Sequence, residues 1–433
     1  MIKENRISTV NLLTSLRGAV TLNQIVAIVF LFSVPVGLWS QITSPEAIYS
    51  EPTNYPSGTT NDIIYYYSAI GDATLNISIP DYATYTFNWY RYNQASNSFD
   101  IHLSTETGIS SSISGLAETG YRVTADDGNG TVLTYICWTF QPEINSVEIE
   151  MLSESCFKLQ LTANNTTKDL NYYDPGNGVA VPVDYGLTYS WTSEPESPDE
   201  DNPISGETEQ QINIKAPVED TNFTVSVGAK FGMSETANMH YIALAVKAIF
   251  EQTPEGRGIE NEMDTTKKRS APLVVRFSSD EAKGNNLAYE WTFGEDGRAF
   301  EADPLHTYQV AGTYKNILHL INEISGCEDT SEPQEIIVFE SDLQVPNVFT
   351  PNDDGVNDEF RVAYRSIKKY NITIFSRWGR KVFSSNNPAQ GWDGRIGKGE
   401  AGPGVYFYVI EAEGFQEEER YKLHGTITLI RGK

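Results

Sequence analysis

The densest chemistry in the chain lies at Val345–Phe360, VPNVFTPNDDGVNDEF, where Asp353, Asp354, Asn357 and Asp358 crowd together. Clustered carboxylates and amides supply the oxygens that a hard cation such as Ca2+ takes. An EF-hand loop needs its glycine at the sixth position, and counted from Asn352 the glycine arrives two places early, at Gly355. Two readings stand: a looser Ca2+ site on Asp353, Asp354, Asn357 and Asp358, or side chains that cap turns through their own backbone. No other metal or cofactor is expected. Catalytic chemistry has few parts to draw on, because G-x-S-x-G, H-E-x-x-H, C-x-x-C and Walker patterns are absent from the sequence. The histidines (His102, His240, His306, His319 and His424) are scattered along it. The expectation is a chain that is not an enzyme.

The remaining reactive groups are Cys137, Cys156 and Cys327. Cys137 and Cys156 lie close in sequence, at the end of one expected domain and the start of the next, so a Cys137–Cys156 bridge is the candidate staple. Cys327 is then a buried or free thiol. The N-terminus bears on their redox state. A segment carrying Lys3, Arg6 and Arg17 against Glu4 leads into the apolar run IVAIVFLFSVPVGLW, Ile25–Trp39, followed by Ser40-Gln41. That run is short for a membrane span and suits the apolar region of a secretory signal, so residues 1–40 are expected to be a signal peptide. An uncleaved N-terminal anchor is the alternative. Export would place the cysteines in an oxidising compartment.

The elements that must position these residues read as strands. With 433 residues and 39% hydrophobic content, the chain has length for several packed cores. YTFNWYRYN places Trp89, LTYSWTSEP places Trp191 and LAYEWTFGE places Trp291, each with an aromatic residue two positions earlier. An aromatic residue then opens a further alternating strand, at Tyr121, Phe223 and Tyr314. A strand tryptophan followed by a tyrosine-led strand, in units of about 100 residues, is the layout of an immunoglobulin-like sandwich. Tyr121 and Tyr314 are expected as corner tyrosines and the tryptophans as plugs between sheets. No long apolar stripe of helical period follows the signal, so the fold is expected to be all-β: a row of immunoglobulin-like β-sandwiches ending in a further β-sandwich. The expected domains are 41–143, 144–247, 248–340 and 341–433. No flexible linker composition marks their joins, which predicts a fixed, extended row. Ser193–Pro203 and Pro254–Ser270 read as solvated loops.

The third unit resembles a PKD domain. Trp291, Phe293, Gly294, Asp296, Gly297, Pro304, His306, Tyr308, Gly312 and Tyr314 fall on that family's W-D-F-G-D-G, P-x-H-T-Y and G-T-Y signature. Thr292 stands where the family usually has Asp, and Glu295 is inserted. The resemblance implies a spacer or binding module, with His306 as a structural hydrogen-bonder.

The last unit closely resembles the type B C-terminal sorting domain of type IX secretion, also called the gliding-motility-associated C-terminal domain. Its first motif covers Pro346, Asn347, Phe349, Thr350, Pro351, Asn352, Gly355, Asn357 and Asp358. Arg377, Trp378 and Gly379 follow, then Trp392, Asp393 and Gly394, then Gly404 and Tyr406, and finally Gly425 and Arg431. Ser376 replaces the usual Asn, and Asp353 the usual Gly. The resemblance implies export through the inner membrane and then across the outer membrane of a Bacteroidetes-type cell, with the type IX machinery as partner. It leaves the chain at the cell surface or outside the cell. Asp264-Thr265-Thr266 also resembles a short Bacteroidetes O-glycosylation motif.

Charge limits the remaining partners. A net charge of −27 disfavours nucleic acid. Between Arg361 and Trp392, however, there are seven basic residues (Arg361, Arg365, Lys368, Lys369, Arg377, Arg380 and Lys381) and no acidic one. Docking of an acidic partner and neutralisation against the rest of the chain are both open readings. The expected function is a modular structural or adhesin-like protein of the envelope. The alternative is an accessory binder of cell-surface polysaccharide or of host or environmental glycan, with Tyr65, Tyr66, Tyr67, Tyr90 and Tyr92 as aromatic platforms.

Overall fold

A computed structural model describes residues 41–58, 62–81, 83–196, 204, 206–256 and 268–431. The expected signal segment, the Asp264–Thr266 motif and most of the acidic stretch before Pro203 lie outside the described residues. Among the described residues there are strands and turns and no helix. The described residues form two compact units, one within 1–142 and 170–183, the other within 143–169 and 184–433.

In the first unit a six-stranded sheet runs in the order Tyr49–Pro52, Ile63–Tyr66, Val132–Phe140, Thr119–Asp126, Tyr85–Asn93, Ser98–Gly108. Thr74–Ser78 pairs with Ser110–Ser114 in a second, smaller sheet. Alternation along Tyr85–Asn93 buries Tyr85, Phe87 and Trp89 on one face. The Trp89 indole donates to Ser111 Oγ at 2.9 Å, so burial leaves its polar atom satisfied. Tyr121 is a corner tyrosine, its hydroxyl accepting the Ala117 N–H at 2.8 Å.

The same unit takes a hairpin, Asn171–Tyr173 with Ala180–Pro182, whose sequence position lies between strands of the second unit. The Asn54 N–H donates to Tyr172 Oη at 3.0 Å, and Ser57 donates to Asp174 through its N–H and its hydroxyl, both at 2.8 Å. Tyr173 stacks on Tyr92 at 5.1 Å, and the buried Trp138, whose indole donates to Tyr55 Oη, packs against both hairpin tyrosines. The hairpin covers Tyr92, and the other expected platform tyrosines are largely taken up by the fold as well. Tyr65, Tyr66, Tyr67 and Tyr92 are buried, with the first three hydroxyls donating to Ile42 O, Glu51 Oε1 and Ser44 Oγ. Tyr90 alone of the five keeps part of its ring exposed, beneath the Arg122 guanidinium at 4.8 Å.

The second unit holds three successive cores. In the first, Lys158–Thr167 lies between Ile144–Glu154 and Gln211–Lys215, while Thr221–Gly228 lies between Thr188–Glu194 and Ser234–Tyr241. Trp191 is fully buried there and donates to Glu209 O at 2.9 Å. In the next, Leu287–Phe293 pairs with Gly312–Asn322, and Trp291 is likewise buried, donating to Glu301 O. The Tyr314 hydroxyl donates to Val310 O at 2.8 Å, a corner of the same four-residue reach as Tyr121. The last core belongs to a five-stranded sheet ordered Val348–Phe349, Arg420–Leu429, Gly404–Gly414, Ile367–Phe375, Lys381–Ser385.

The cysteine expectation is corrected. Cys156 bonds Cys327, and Cys137 is a free, buried thiol. Cys137 points into the first unit's core from the strand Val132–Phe140, where its sulfur is enclosed by apolar side chains. Cys156 sits in the tight turn between Ile144–Glu154 and Lys158–Thr167, where the fold brings the turn before Glu328 to it.

Candidate functional site

The terminal domain gathers most of its spaced motifs around one guanidinium. Val348–Phe349 runs parallel to Thr428–Leu429, which brings the loop after Phe349 beside the end of the last strand. Arg431 follows that strand and donates from Nη1 to Pro351 O at 3.2 Å, from Nη2 to Gly394 O at 3.0 Å and from Nε to Ala401 O at 3.2 Å. Glu400 lies 3.5 Å from Nη1 and balances the charge. One side chain thus ties the first, third and last motifs together through backbone carbonyls. Five N–H donors on a rigid fork suit this task; a lysine ammonium could not span it.

Two glycines make room for close packing, one of them beside Arg431. Gly394 has φ +73, and a Cβ there would meet Leu429, Pro351 and Arg431 at 3.1–3.2 Å. At Gly425 a Cβ would fall 2.8 Å from the Tyr408 hydroxyl, because that ring lies across the opposing position. Beneath this layer Trp392 is buried against Phe349 (5.4 Å) and Tyr406 (4.8 Å, edge to face). The Trp392 indole donates to Arg395 O, and its backbone exchanges hydrogen bonds with Phe360. Tyr406 is a third corner tyrosine, donating to Gly402 O at 2.8 Å.

The acidic loop is organised by Asp358. Its Oδ1 accepts the N–H groups of Asn352 (2.9 Å) and Asp353 (2.7 Å), and its Oδ2 accepts that of Gly355 (2.7 Å). Desolvation works to raise its pKa, but the N–H groups of Gly355, Asn352, Asp353 and Asp354 outweigh it and hold the carboxyl below the usual aspartate value. Asp354 accepts from Val356 N–H and from Asn352 Nδ2, both at 2.8 Å. Thr350 N–H donates to Asn357 O. Asp353, Gly355 and Asn357 all take positive φ (57°, 83° and 55°), the region a glycine enters freely, which accounts for the glycine usual at position 353. This is the turn-capping arrangement. Among the described residues no group of three or more His, Cys, Asp or Glu is placed to hold a metal ion.

The other motif residues support the same frame. Asn347 O accepts Thr428 N–H, Asp393 Oδ1 caps a turn at Arg395 N–H, Gly404 has φ +143, and Pro346 is half-buried. Arg377, Trp378 and Gly379 join none of these contacts and sit at a hairpin turn, with Trp378 81% exposed. Sequence reasoning missed Glu400 and Ala401, which carry no motif signal. In the preceding domain His306 Nε2 lies 2.8 Å from Asp296 Oδ2, with its ring stacked on Phe293 at 4.2 Å and edge-on to Tyr308. That is a structural hydrogen bond inside an aromatic stack.

Residues 343–429 match the family model of the CHU_C type IX secretion signal domain, and residues 252–338 match that of the PKD domain. No curated protein matches the chain. Among solved structures, the tetra-tandem repeat in the extending region of a large adhesion protein is 12% identical, with 84% of this chain and 96% of that chain covered at a TM-score of 0.27. The chicken CNTN1 FN1–FN3 domains are 11% identical, with 66% and 97% covered at a TM-score of 0.23. The N-terminal eight Ig domains of Down syndrome cell adhesion molecule are 9% identical, with 85% and 53% covered at a TM-score of 0.24. The described residues are all-β, and the stretch that matches the PKD model directly precedes the stretch that matches the type IX secretion signal model. The domains found are of non-catalytic types.

Proposed function

We propose that this is a structural or adhesin-like protein, carried through the inner membrane by its N-terminal segment and across the outer membrane by its terminal domain, to act at the cell surface or outside the cell. The observation that carries this reading is the Arg431 node, at which separate motifs of the secretion signal domain close into one folded element. An address that is read as a fold needs such a lock, because loop motifs alone lack a fixed geometry. The Cys156–Cys327 bridge supports passage through an oxidising compartment, where such bonds form and persist. The preceding domains serve as spacers or contact modules.

Sufficiency of the terminal domain is the test. Residues 341–433 are fused behind a fluorescent reporter that carries its own secretory signal, in a host with type IX secretion. Reporter fluorescence on the cell surface or in the medium supports the reading. Fluorescence confined to the periplasm, for a fusion that is intact and folded, contradicts it.

A further inference from the structure

Trp378 is presented outward by a tight turn, whereas the other motif aromatics, Phe349, Trp392 and Tyr406, are buried. The turn joins Ile367–Phe375 to Lys381–Ser385 and is closed by Ser376 N–H to Arg380 O (2.8 Å) and Gly379 N–H to Ser376 O (2.9 Å). The Arg377 guanidinium lies 4.8 Å from the centre of the indole, on its face. A folded domain gains little from a tryptophan held in water, since the hydrophobic gain comes only on burial.

The charges of this region divide in a telling way. Arg361 pairs with Glu359 at 2.8 Å, Arg365 with Asp342 at 3.6 Å and Lys369 with Glu413 at 2.6 Å. Lys368 lies over the Phe415 ring. Arg377, Arg380 and Lys381 have no carboxylate partner among the described residues, on a chain of net charge −27. Neutralisation within the domain therefore accounts for the first part of the basic run and not for its tip. Apolar surface continues from the tip: Phe375 is paired across the sheet with Phe407, whose strand Gly404–Gly414 also turns Val405 and Val409 to solvent.

We infer that this hairpin tip is a docking element for a protein of the export machinery that offers an apolar pocket rimmed by carboxylates. The inference rests on reading the terminal domain as an export signal and names the surface that is read. Tryptophan and arginine are the residues that most often anchor interfaces, and unpaired rim cations steer association with an acidic partner. An anionic bilayer is the weaker match, because three cations fall short of the cluster of about four to eight by which lipid surfaces recruit polybasic segments.

The full chain is expressed in a type IX-competent host as wild type, as Trp378→Ala, as the reversal Arg377→Glu/Arg380→Glu/Lys381→Glu, as the conservative set Arg377→Lys/Arg380→Lys/Lys381→Arg, and without residues 341–433. Export of Trp378→Ala and of the reversal should fall by at least ~10-fold, as for loss of an interface anchor, while the conservative set stays near wild type. Melting curves of the purified variants should match wild type. A photoreactive residue at position 378 should cross-link to an outer-membrane secretion protein, and the charge reversal should abolish the adduct. If the deletion stops export but the tip variants leave the cell normally, docking is overturned while the signal reading stands. If the deleted chain is also exported, the signal reading itself falls. A Trp378→Ala chain that melts below wild type would make the ring structural and overturn the inference. Tip-dependent binding to phosphatidylglycerol vesicles, without a protein adduct, would replace the protein partner by a lipid.

Discussion

Cys156 is bonded to Cys327 across 171 residues of chain, joining a turn of the second sandwich to a turn of the PKD domain. Polar contacts join the same two domains. Ser325 Oγ donates to Leu244 O at 3.0 Å, Asn285 Nδ2 to Asp220 Oδ1 at 2.7 Å, and Lys283 pairs with Glu219 at 3.3 Å. The covalent link therefore fixes a join that hydrogen bonds already define.

Reduction, or Cys156→Ser, should lower stability of the native chain by roughly 2–4 kcal/mol, mainly by releasing the unfolded chain. Peptide mapping without reductant should recover the 156–327 pair. Cys137 should resist alkylation until the protein is unfolded, because burial pushes its thiol well above the ordinary value and encloses the sulfur. Rapid labelling of Cys137 in the folded protein would contradict this placement.

The three strand tryptophans should each be worth a core. Trp89→Ala, Trp191→Ala and Trp291→Ala each remove a fully buried indole and strand its hydrogen-bond acceptor, at a cost of about 3–5 kcal/mol. Hydrogen exchange should locate each loss in the domain that carries the substitution. Uniform wild-type protection in all three variants would remove the tryptophans from the account of these cores.

How far the sequence could be read depended on how local each signal was. Trp89, Trp191 and Trp291 and the corner tyrosines were legible because alternation and short-range spacing specify them. The corner at Tyr406 has the same four-residue reach as Tyr121 and Tyr314, so the signal was present there too. The cysteine pairing was not legible, since it depends on which turns the fold brings together, and proximity in sequence pointed to the wrong partner. The run Tyr65–Tyr67 misled because alternation gives a free face only where one side of a sheet is uncovered. Tyr65 and Tyr67 line the core, while Tyr66 packs on the opposite face against Tyr49 and Phe140. In the terminal domain the motif residues were readable, but the node that joins them was not, because Arg431 works through backbone carbonyls.

The acidic loop should have a pH signature. The folded-state pKa of Asp358 is depressed, so its contribution is fully present above the ordinary aspartate value of about 4 and is lost as pH falls through the lower folded value. Asp358→Asn should destabilise the loop at neutral pH, and its difference from wild type should vanish in strong acid. Backbone exchange at Asn352–Gly355, followed from neutral to acid pH, reads this directly. A difference that stays constant across that range would show that the charge on Asp358 is not what holds the loop.

Arg431→Ala should loosen the terminal domain as a whole by about 2–3 kcal/mol, the scale expected for hydrogen bonds made by a charged group. Arg431→Lys should recover only part, because an ammonium cannot reach Pro351, Gly394 and Ala401 together. Limited proteolysis should then cut within residues 343–429 while the upstream domains stay intact.

The central claim is that the terminal domain is an export address, and removing it from the native chain tests that most directly. The full chain and a chain ending at residue 340 are expressed in a type IX-competent host, and cytoplasm, periplasm, cell surface and medium are assayed for each. The account predicts that the full chain reaches the surface or the medium, while the truncated chain is held in the periplasm with its Cys156–Cys327 bridge formed. Truncated protein outside the cell at the level of the full chain would contradict it.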